Sequence, residues 1–158
     1  MSTTTGNEST AWEKTLTEAA AMAEELREKG WEVCTVRAGH VEPVMATERE
    51  EKPPGLVYVV PDDVTDRLPD FVDRGNFERY QIYRRTVGSD LFMVLRLIDP
   101  VAELAILLVG AIDLDRTRPK IDRLRTAETI NTYVQRLDGT RLVTMTHEDP
   151  GQLFPDPI

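Results

Sequence analysis

The stretch between residues 77 and 114 restricts the fold of this chain more than any other part of the sequence. Long apolar runs follow one another there with turn residues between them, which is the pattern of a three-stranded meander. Gly88-Ser89 places glycine first in a two-residue turn, as a type II′ hairpin requires. The turn predicts that these residues lie opposite each other: Val87 and Asp90, Arg85 and Phe92, Tyr83 and Val94, Gln81 and Arg96, and Arg79 and Ile98.

The same register gives the hairpin one apolar face, which we expect to belong to the core. The residues of that face are Tyr80, Ile82, Leu91, Met93, Leu95 and Leu97. The third strand, roughly residues 102–111, is apolar at nearly every position, so both of its faces must be covered. A central position in the sheet would cover them, and so would a homodimer interface on this strand.

Apolar periodicity and turn signals predict three helices and four further strands outside the meander. The helices are expected at 10–30, 64–73 and 118–129, and the strands at 31–37, 55–60, 130–137 and 140–147. The last two strands form a hairpin across Asp138-Gly139, a strong type I′ turn signal. Residues 39–54 are polar and end in two prolines, so we expect an exposed loop there.

The element order is therefore α-β-β-α-β-β-β-α-β-β, which predicts an α+β fold with a central, mostly antiparallel sheet and helices packed on it. The first eight elements follow the order of roadblock and profilin-like folds, an analogy that carries no function. We expect a disordered tail at 1–9, a single α+β domain at 10–149 and a proline-rich tail at 150–158. Leu153 and Phe154 in that last tail could dock back onto the domain.

The net charge of −9 argues against a general affinity for nucleic acids or anionic membranes, because both carry negative charge themselves. Lysine occurs only at positions 14, 29, 52 and 120, and all other basic side chains are arginine. Few lysines and many carboxylates suit a solvent of high ionic strength, in which salt screens their repulsion. The composition thus favours a halophilic source, and an acidic protein from a non-halophile remains the alternative.

The single cysteine, Cys34, lies in an apolar run, so an internal disulfide is impossible and a cytoplasmic location is natural. No charged-then-apolar leader opens the chain, and the longest apolar run is too short to cross a bilayer as a helix. We expect a soluble protein in which Cys34 is a buried thiol and not a nucleophile.

The polar face of the first hairpin is the most suggestive candidate for a binding site. Arg79, Gln81, Tyr83 and Arg85 follow one strand and Arg96 joins them from the next, which gives a basic and aromatic strip on an acidic protein. Guanidinium groups bind carboxylates and phosphates through paired hydrogen bonds, so an anionic ligand or an acidic patch of a partner could dock there. Alternatively, a charged helix covers this face and pairs its own carboxylates with these arginines.

Catalytic candidates are few, and we assign no catalytic residue, no metal site and no cofactor. His40 and His147 are the two histidines, and their spacing matches no metal-binding signature, so we expect surface residues at strand ends. The turn around Ser89 lacks the strand-turn-helix context of a nucleophile elbow. Carboxylates are too numerous on this acidic chain for any pair to indicate an acid/base dyad.

Two segments resemble a family of small acidic proteins of halophilic archaea that carries only a domain-of-unknown-function label. They are ELAILLVGAIDL at residues 103–114 and NTYVQRLDGTRLVTMTHEDPGQLFP at residues 131–155. The opening AWEKTLTEAAAMAEELREKGWEV and the strand GLVYVVPD are similar to that family as well, so the likeness covers most of the chain. The resemblance implies a salt-adapted source and no established activity or catalytic residues.

These observations favour a non-enzymatic protein-interaction or regulatory module, which meets another protein or a second copy of itself through the strip or the apolar strand. The alternative is a sensor or enzyme that binds a small anionic ligand at the strip. A ligand site needs a concave pocket with convergent polar groups, whereas a partner can dock on a flat face.

Overall fold

The computed structural model describes residues 3–45, 53–61 and 67–154, with the side chains described from residue 10 onward. The described helices are α1 (Thr3–Glu28), α2 (Leu68–Arg74), α3 (Leu114–Thr126) and a short 3₁₀ helix (Pro150–Leu153). The strands are β1 (Glu32–Val44), β2 (Gly55–Val60), β3 (Arg79–Val87), β4 (Asp90–Asp99), β5 (Leu104–Asp113), β6 (Ile130–Arg136) and β7 (Arg141–His147). None of the helices in these ranges is both long and apolar enough to cross a membrane.

The strands form one seven-stranded sheet in the order β3-β4-β5-β1-β2-β6-β7. The expectation of a mostly antiparallel sheet was wrong, because the sheet is mixed: β1 pairs with β5 in parallel, and so does β2 with β6. Each parallel pair joins strands that are distant in sequence, so no turn signal announces it. The fold class, α+β, is confirmed, whereas the likeness to roadblock and profilin-like folds remains a fold analogy.

The register of the meander agrees with the prediction at every pair, from Val87 opposite Asp90 to Arg79 opposite Ile98. Gly88 has a φ of +60°, whereas Ser89 has a negative φ, which is the combination of a type II′ turn. β4 then pairs along its whole length with β5. β3 is therefore left at the end of the sheet, with β4 as its single neighbouring strand.

The two faces of the sheet are covered by different helices. On one face, α1 packs Ala19, Ala23 and Leu26 against β1, β4 and β5. These residues belong to the apolar stripe that the sequence predicts. The other face carries the larger core, which includes α2, α3 and the docked C-terminal residues Leu153 and Phe154. The prediction that these two residues dock onto the body is confirmed, since both are buried.

The sheet is curled, so that its two end strands approach each other on the face opposite α1. The ring centroids of Tyr80 on β3 and His147 on β7 lie 4.3 Å apart in an edge-to-face arrangement. Arg84 on β3 also donates a hydrogen bond to the carbonyl oxygen of Gln152, in the 3₁₀ helix. The larger core therefore lies within the curl of the sheet.

The predicted loop at 39–54 was wrong in its first part, because β1 continues to Val44. Gly39 has a φ of +69° beside a bulge in the pairing with β5, which continues to His40. From Val41 onward the strand pairs with β2. Val41 is buried and lies opposite Tyr58. Residues 45, 53 and 54 belong to no strand or helix, and residues 46–52 of the predicted loop lie outside the described residues.

The helix boundaries also differ from the predicted ones. α1 includes most of the polar stretch in which we expected a disordered tail, and such a stretch shows no apolar periodicity to reveal a helix. α3 begins earlier than predicted, because Asp113 caps it by accepting a hydrogen bond from the Arg116 amide. In α2, Pro69 lies in the first turn, where proline is tolerated; residues 64–66 of that predicted helix lie outside the described residues.

Candidate functional site

The strip predicted from the sequence lies on the face of the sheet that carries α1, beside that helix. Gln81 is opposite Arg96, and Tyr83 is opposite Val94, which packs against α1. Alternation along β3 then places Arg79 and Arg85 on the same face. We call these five residues, Arg79, Gln81, Tyr83, Arg85 and Arg96, the arginine strip.

Three residues of the arginine strip form one connected cluster. The guanidinium carbon of Arg96 lies 5.7 Å from the centroid of the Tyr83 ring, and its Nη2 atom donates to the side-chain oxygen of Gln81. The Tyr83 hydroxyl donates to the same oxygen over 3.5 Å. Tyr83 is 40% exposed, so the cluster presents a cation and an aromatic ring to solvent together.

Arg85 is the member of the strip that pairs with the neighbouring helix. Its Nη2 atom lies 2.6 Å from a carboxylate oxygen of Glu18 on α1. Both side chains are partly exposed, so the pair contributes little to stability. The alternative in which a helix neutralises the strip thus holds for Arg85, while Arg79 and Arg96 form no ion pair with any carboxylate that the structure describes.

The strip retains unused hydrogen-bond donors. Nη1 of Arg85 and Nε of Arg96 are buried and lack an acceptor within the described ranges. Arg79 is exposed at the start of β3 and makes no hydrogen bond to the other four residues of the strip. Guanidinium donors of this kind favour an anionic acceptor, and a carboxylate can accept two at once.

A groove of about 570 Å³ runs between α1 and the outer part of β3. Thr15 and Glu18 line it from α1, and Phe92 and Val94 form its floor on β4. The β3 side is formed by Ile82, Tyr83, Arg84 and Arg85. The groove therefore combines an apolar floor with charged groups of both signs at its sides.

The apolar strand for which we expected either a central position or a homodimer interface is β5. It is central, because it lies between β4 and β1. Residues 104–109 are all buried, against α1 on one face and the larger core on the other. Within this chain, both faces of β5 are therefore already covered.

The two histidines are far less alike than expected. His40 is exposed, but His147 is fully buried, so the expectation that both lie on the surface was wrong for His147. Its Nε2 atom lies 2.6 Å from the Thr132 hydroxyl oxygen, and burial lowers the pKa of His147 to about 4. No group of three or more metal-binding side chains occurs among the residues that the structure describes.

Cys34 is buried on the face of β1 that joins the larger core, as expected for a structural thiol. Burial raises the pKa of the Cys34 thiol, which disfavours the nucleophilic thiolate. Neither Cys34 nor His147 borders the groove beside the arginine strip. The arrangement therefore offers anion recognition at the strip, away from Cys34 and His147.

Sequence reasoning missed the groove and the part that Glu18 plays in it. Glu18 belongs to a helix that is separated from β3 by two strands and a further helix along the chain. A strand register can be read from local alternation, but the placement of a distant helix over that strand cannot. No local signal distinguishes Glu18 from the other carboxylates of α1.

A comparison with protein families finds one match, to residues 1–155, and its description is "Family of unknown function (DUF7529)". Neither the curated proteins nor the solved structures contain a significant match to the chain. The function must therefore be argued from the geometry of this molecule.

Proposed function

The chain belongs to the DUF7529 family, and from its geometry we propose that it is a non-enzymatic interaction module that binds an acidic segment of another protein at the arginine strip. The observation that carries this proposal is the partly exposed cluster of Arg96, Tyr83 and Gln81. It places on an aromatic ring, at the end of the sheet, a guanidinium group that has no carboxylate partner among the residues the structure describes. Tyrosine and arginine are the residue types that most often anchor protein interfaces.

Charge supports an acidic partner. The whole chain carries a net charge of −9, whereas β3 contains Arg79, Arg84 and Arg85 and no carboxylate. A local basic surface on an acidic protein selects among partners, because most acidic surfaces are repelled by the rest of the molecule. Because the chain has few lysines, many carboxylates and a single cysteine, we also propose that it works in a cytoplasm of high salt concentration. Salt screens long-range attraction, so short-range contacts would provide the specificity.

Photo-crosslinking tests the proposal. A benzophenone amino acid at Tyr83 is expected to capture a protein from the native cytoplasm through an acidic peptide, which mass spectrometry identifies. The same group at Arg123, an exposed position on α3, serves as the control and should not capture that peptide.

The captured partner then permits a quantitative comparison. Arg96→Ala is expected to weaken its affinity at least about tenfold, because it removes a charged anchor of the interface. Arg123→Ala removes the same charge from an exposed site and should leave the affinity unchanged. Equal affinities for both variants would refute the proposal.

The groove favours one second candidate, a sensor for a small anionic ligand. Its volume of about 570 Å³ is within the range of small-molecule sites, and Arg85 lies at its side. Native mass spectrometry of protein taken from its own cytoplasm distinguishes the two. A small anion that is bound to the wild type and lost from Arg85→Ala would favour the sensor.

A further inference from the structure

The outer edge of β3 carries main-chain groups that none of the described strands pairs. Val87 and Asp90 close the two-residue turn, so they form a hydrogen-bonded pair, and such pairs recur at every second residue. The residues between them direct their N–H and C=O groups away from β4. They are Tyr80, Ile82, Arg84 and Thr86, and β4 is the one strand to which β3 is bonded.

The groove lies over the α1 face of β3 and β4, beside this edge strand. Ile82 and Arg84 line it although their side chains belong to the opposite face from Tyr83 and Arg85. The groove therefore borders β3 from Ile82 to Arg85, the same stretch that carries two residues of the arginine strip.

A second copy of this chain is a poor occupant of this edge. Pairing β3 with β3 of another copy would bring together two strands that each carry Arg79, Arg84 and Arg85, and β3 has no acidic residue to offset these charges. Charged residues on an edge strand commonly prevent such self-association. The same three charges attract a strand that carries carboxylates.

We propose that an extended acidic segment of another protein adds to the sheet as an eighth strand along β3, a mode of binding that rests on the proposed function. Main-chain hydrogen bonds to Ile82, Arg84 and Thr86 would provide affinity. Every second residue of the added strand would project onto the face of the arginine strip. Glutamate or aspartate at these positions would meet Arg79, Arg85 and the Arg96 group that reaches Gln81.

Synthetic peptides test this mode on the full-length protein. The probe is a peptide of about eight residues, which matches the length of β3, with glutamate alternating with valine or threonine. Two derivatives carry N-methyl groups, one on all glutamates and the other on all intervening residues. An added strand bonds through alternate residues only, so one derivative should bind at least about tenfold more weakly and the other like the parent.

A second pair of variants removes one donor from the protein itself. Thr86→Pro deletes an outward N–H without removing a bond to β4, because edge strands tolerate proline there. Thr86→Val keeps the N–H and serves as the control. The proline variant should bind the parent peptide several-fold more weakly than the valine variant does. The two variants should unfold at the same denaturant midpoint.

The outcomes separate this inference from the function on which it rests. If the parent peptide binds in an Arg96-dependent manner and both methylated derivatives bind equally well, strand addition is wrong and the interaction module stands. If the parent peptide binds no better than a peptide in which lysine replaces glutamate, acidic recognition at the strip is wrong and both proposals fall.

Discussion

β3 and β5 belong to one meander and both pair with β4, yet their other surroundings differ. β5 has a strand on each side and a packed core on each face. β3 has one neighbouring strand, one face that joins the core through Tyr80 and Ile82, and an exposed arginine strip on the other. Position in the sheet thus decides which strand maintains the fold and which can meet a partner.

The largest difference is expected when one apolar side chain of each strand is truncated. Leu107 on β5 is fully buried against α1, so Leu107→Ala should lower the free energy of unfolding by about 4 kcal/mol. Tyr83 on β3 is 40% exposed, and Tyr83→Ala should cost less than about 1 kcal/mol. Urea denaturation measures both, and similar costs would remove the distinction between the two strands.

The contrast between β3 and β5 could be read from the sequence because it is encoded locally. Alternation from Arg79 to Arg85 predicted a half-buried strand, and unbroken apolarity near Leu107 predicted a central one. The Gly88-Ser89 turn set the register, which is correct at every pair. The parallel pairs escaped prediction, because they join strands that are distant along the chain.

The candidate site could be predicted only in part, because some of it depends on contacts between elements that are distant along the chain. The five residues of the arginine strip share a face, as the register required. The groove depends on where α1 crosses the sheet, and the burial of His147 depends on how the sheet curls. Both are consequences of packing between elements that are distant along the chain, which alternation within a strand does not report.

The face of β3 that joins the larger core is partly buried, since Tyr80 and Ile82 pack against that core, whereas the face that carries the arginine strip is more exposed. The acid dependence of stability should reveal the packed face. Burial lowers the pKa of His147, which contacts Tyr80, to about 4 from an ordinary value of about 6.5. The unfolded chain therefore takes up a proton at higher pH than the folded chain. The contribution of neutral His147 to stability is present above about pH 6.5 and is lost as the pH falls toward 4, a loss of about 3 kcal/mol.

Urea unfolding at a series of pH values measures this loss. Carboxylates also titrate in this range, so the quantity of interest is the difference between the wild type and His147→Gln, which binds no proton there. The wild type should lose stability more steeply between pH 6.5 and 4. Parallel pH profiles would show that the face of β3 toward the larger core admits water and is less closed than β5.

A methyl group added to β5 tests how tightly its face toward the larger core is packed. The Cβ atom of an alanine at Gly110 would lie 2.4 Å from Val41 Cγ2 and 3.3 Å from a ring carbon of Tyr58. Gly110→Ala should therefore cost about 2 kcal/mol through overpacking. Val41→Ala removes the closest atom, so the double variant should be less unstable than the sum of the two single variants. Strictly additive costs would place the strain elsewhere.

The smallest effect on stability, and the most direct on binding, is expected at the contact between α1 and β3. The Arg85 and Glu18 side chains are 36% and 41% exposed, so Glu18→Gln should change the free energy of unfolding by only about 0.5 kcal/mol. The same change frees Arg85 and removes a negative charge from the side of the groove. An acidic peptide should then bind several-fold more tightly, which fluorescence anisotropy measures.

The carboxylate of Glu18 thus occupies the position that a partner's carboxylate would take, and its removal reports on competition for Arg85. Glu24→Gln makes the same change at an exposed position of α1 that does not line the groove, and it should leave peptide affinity unchanged. If both variants raised the affinity equally, the gain would come from net charge alone. The arginines of β3 would then serve to prevent its edge from pairing with other strands, and β3 would not bind a partner.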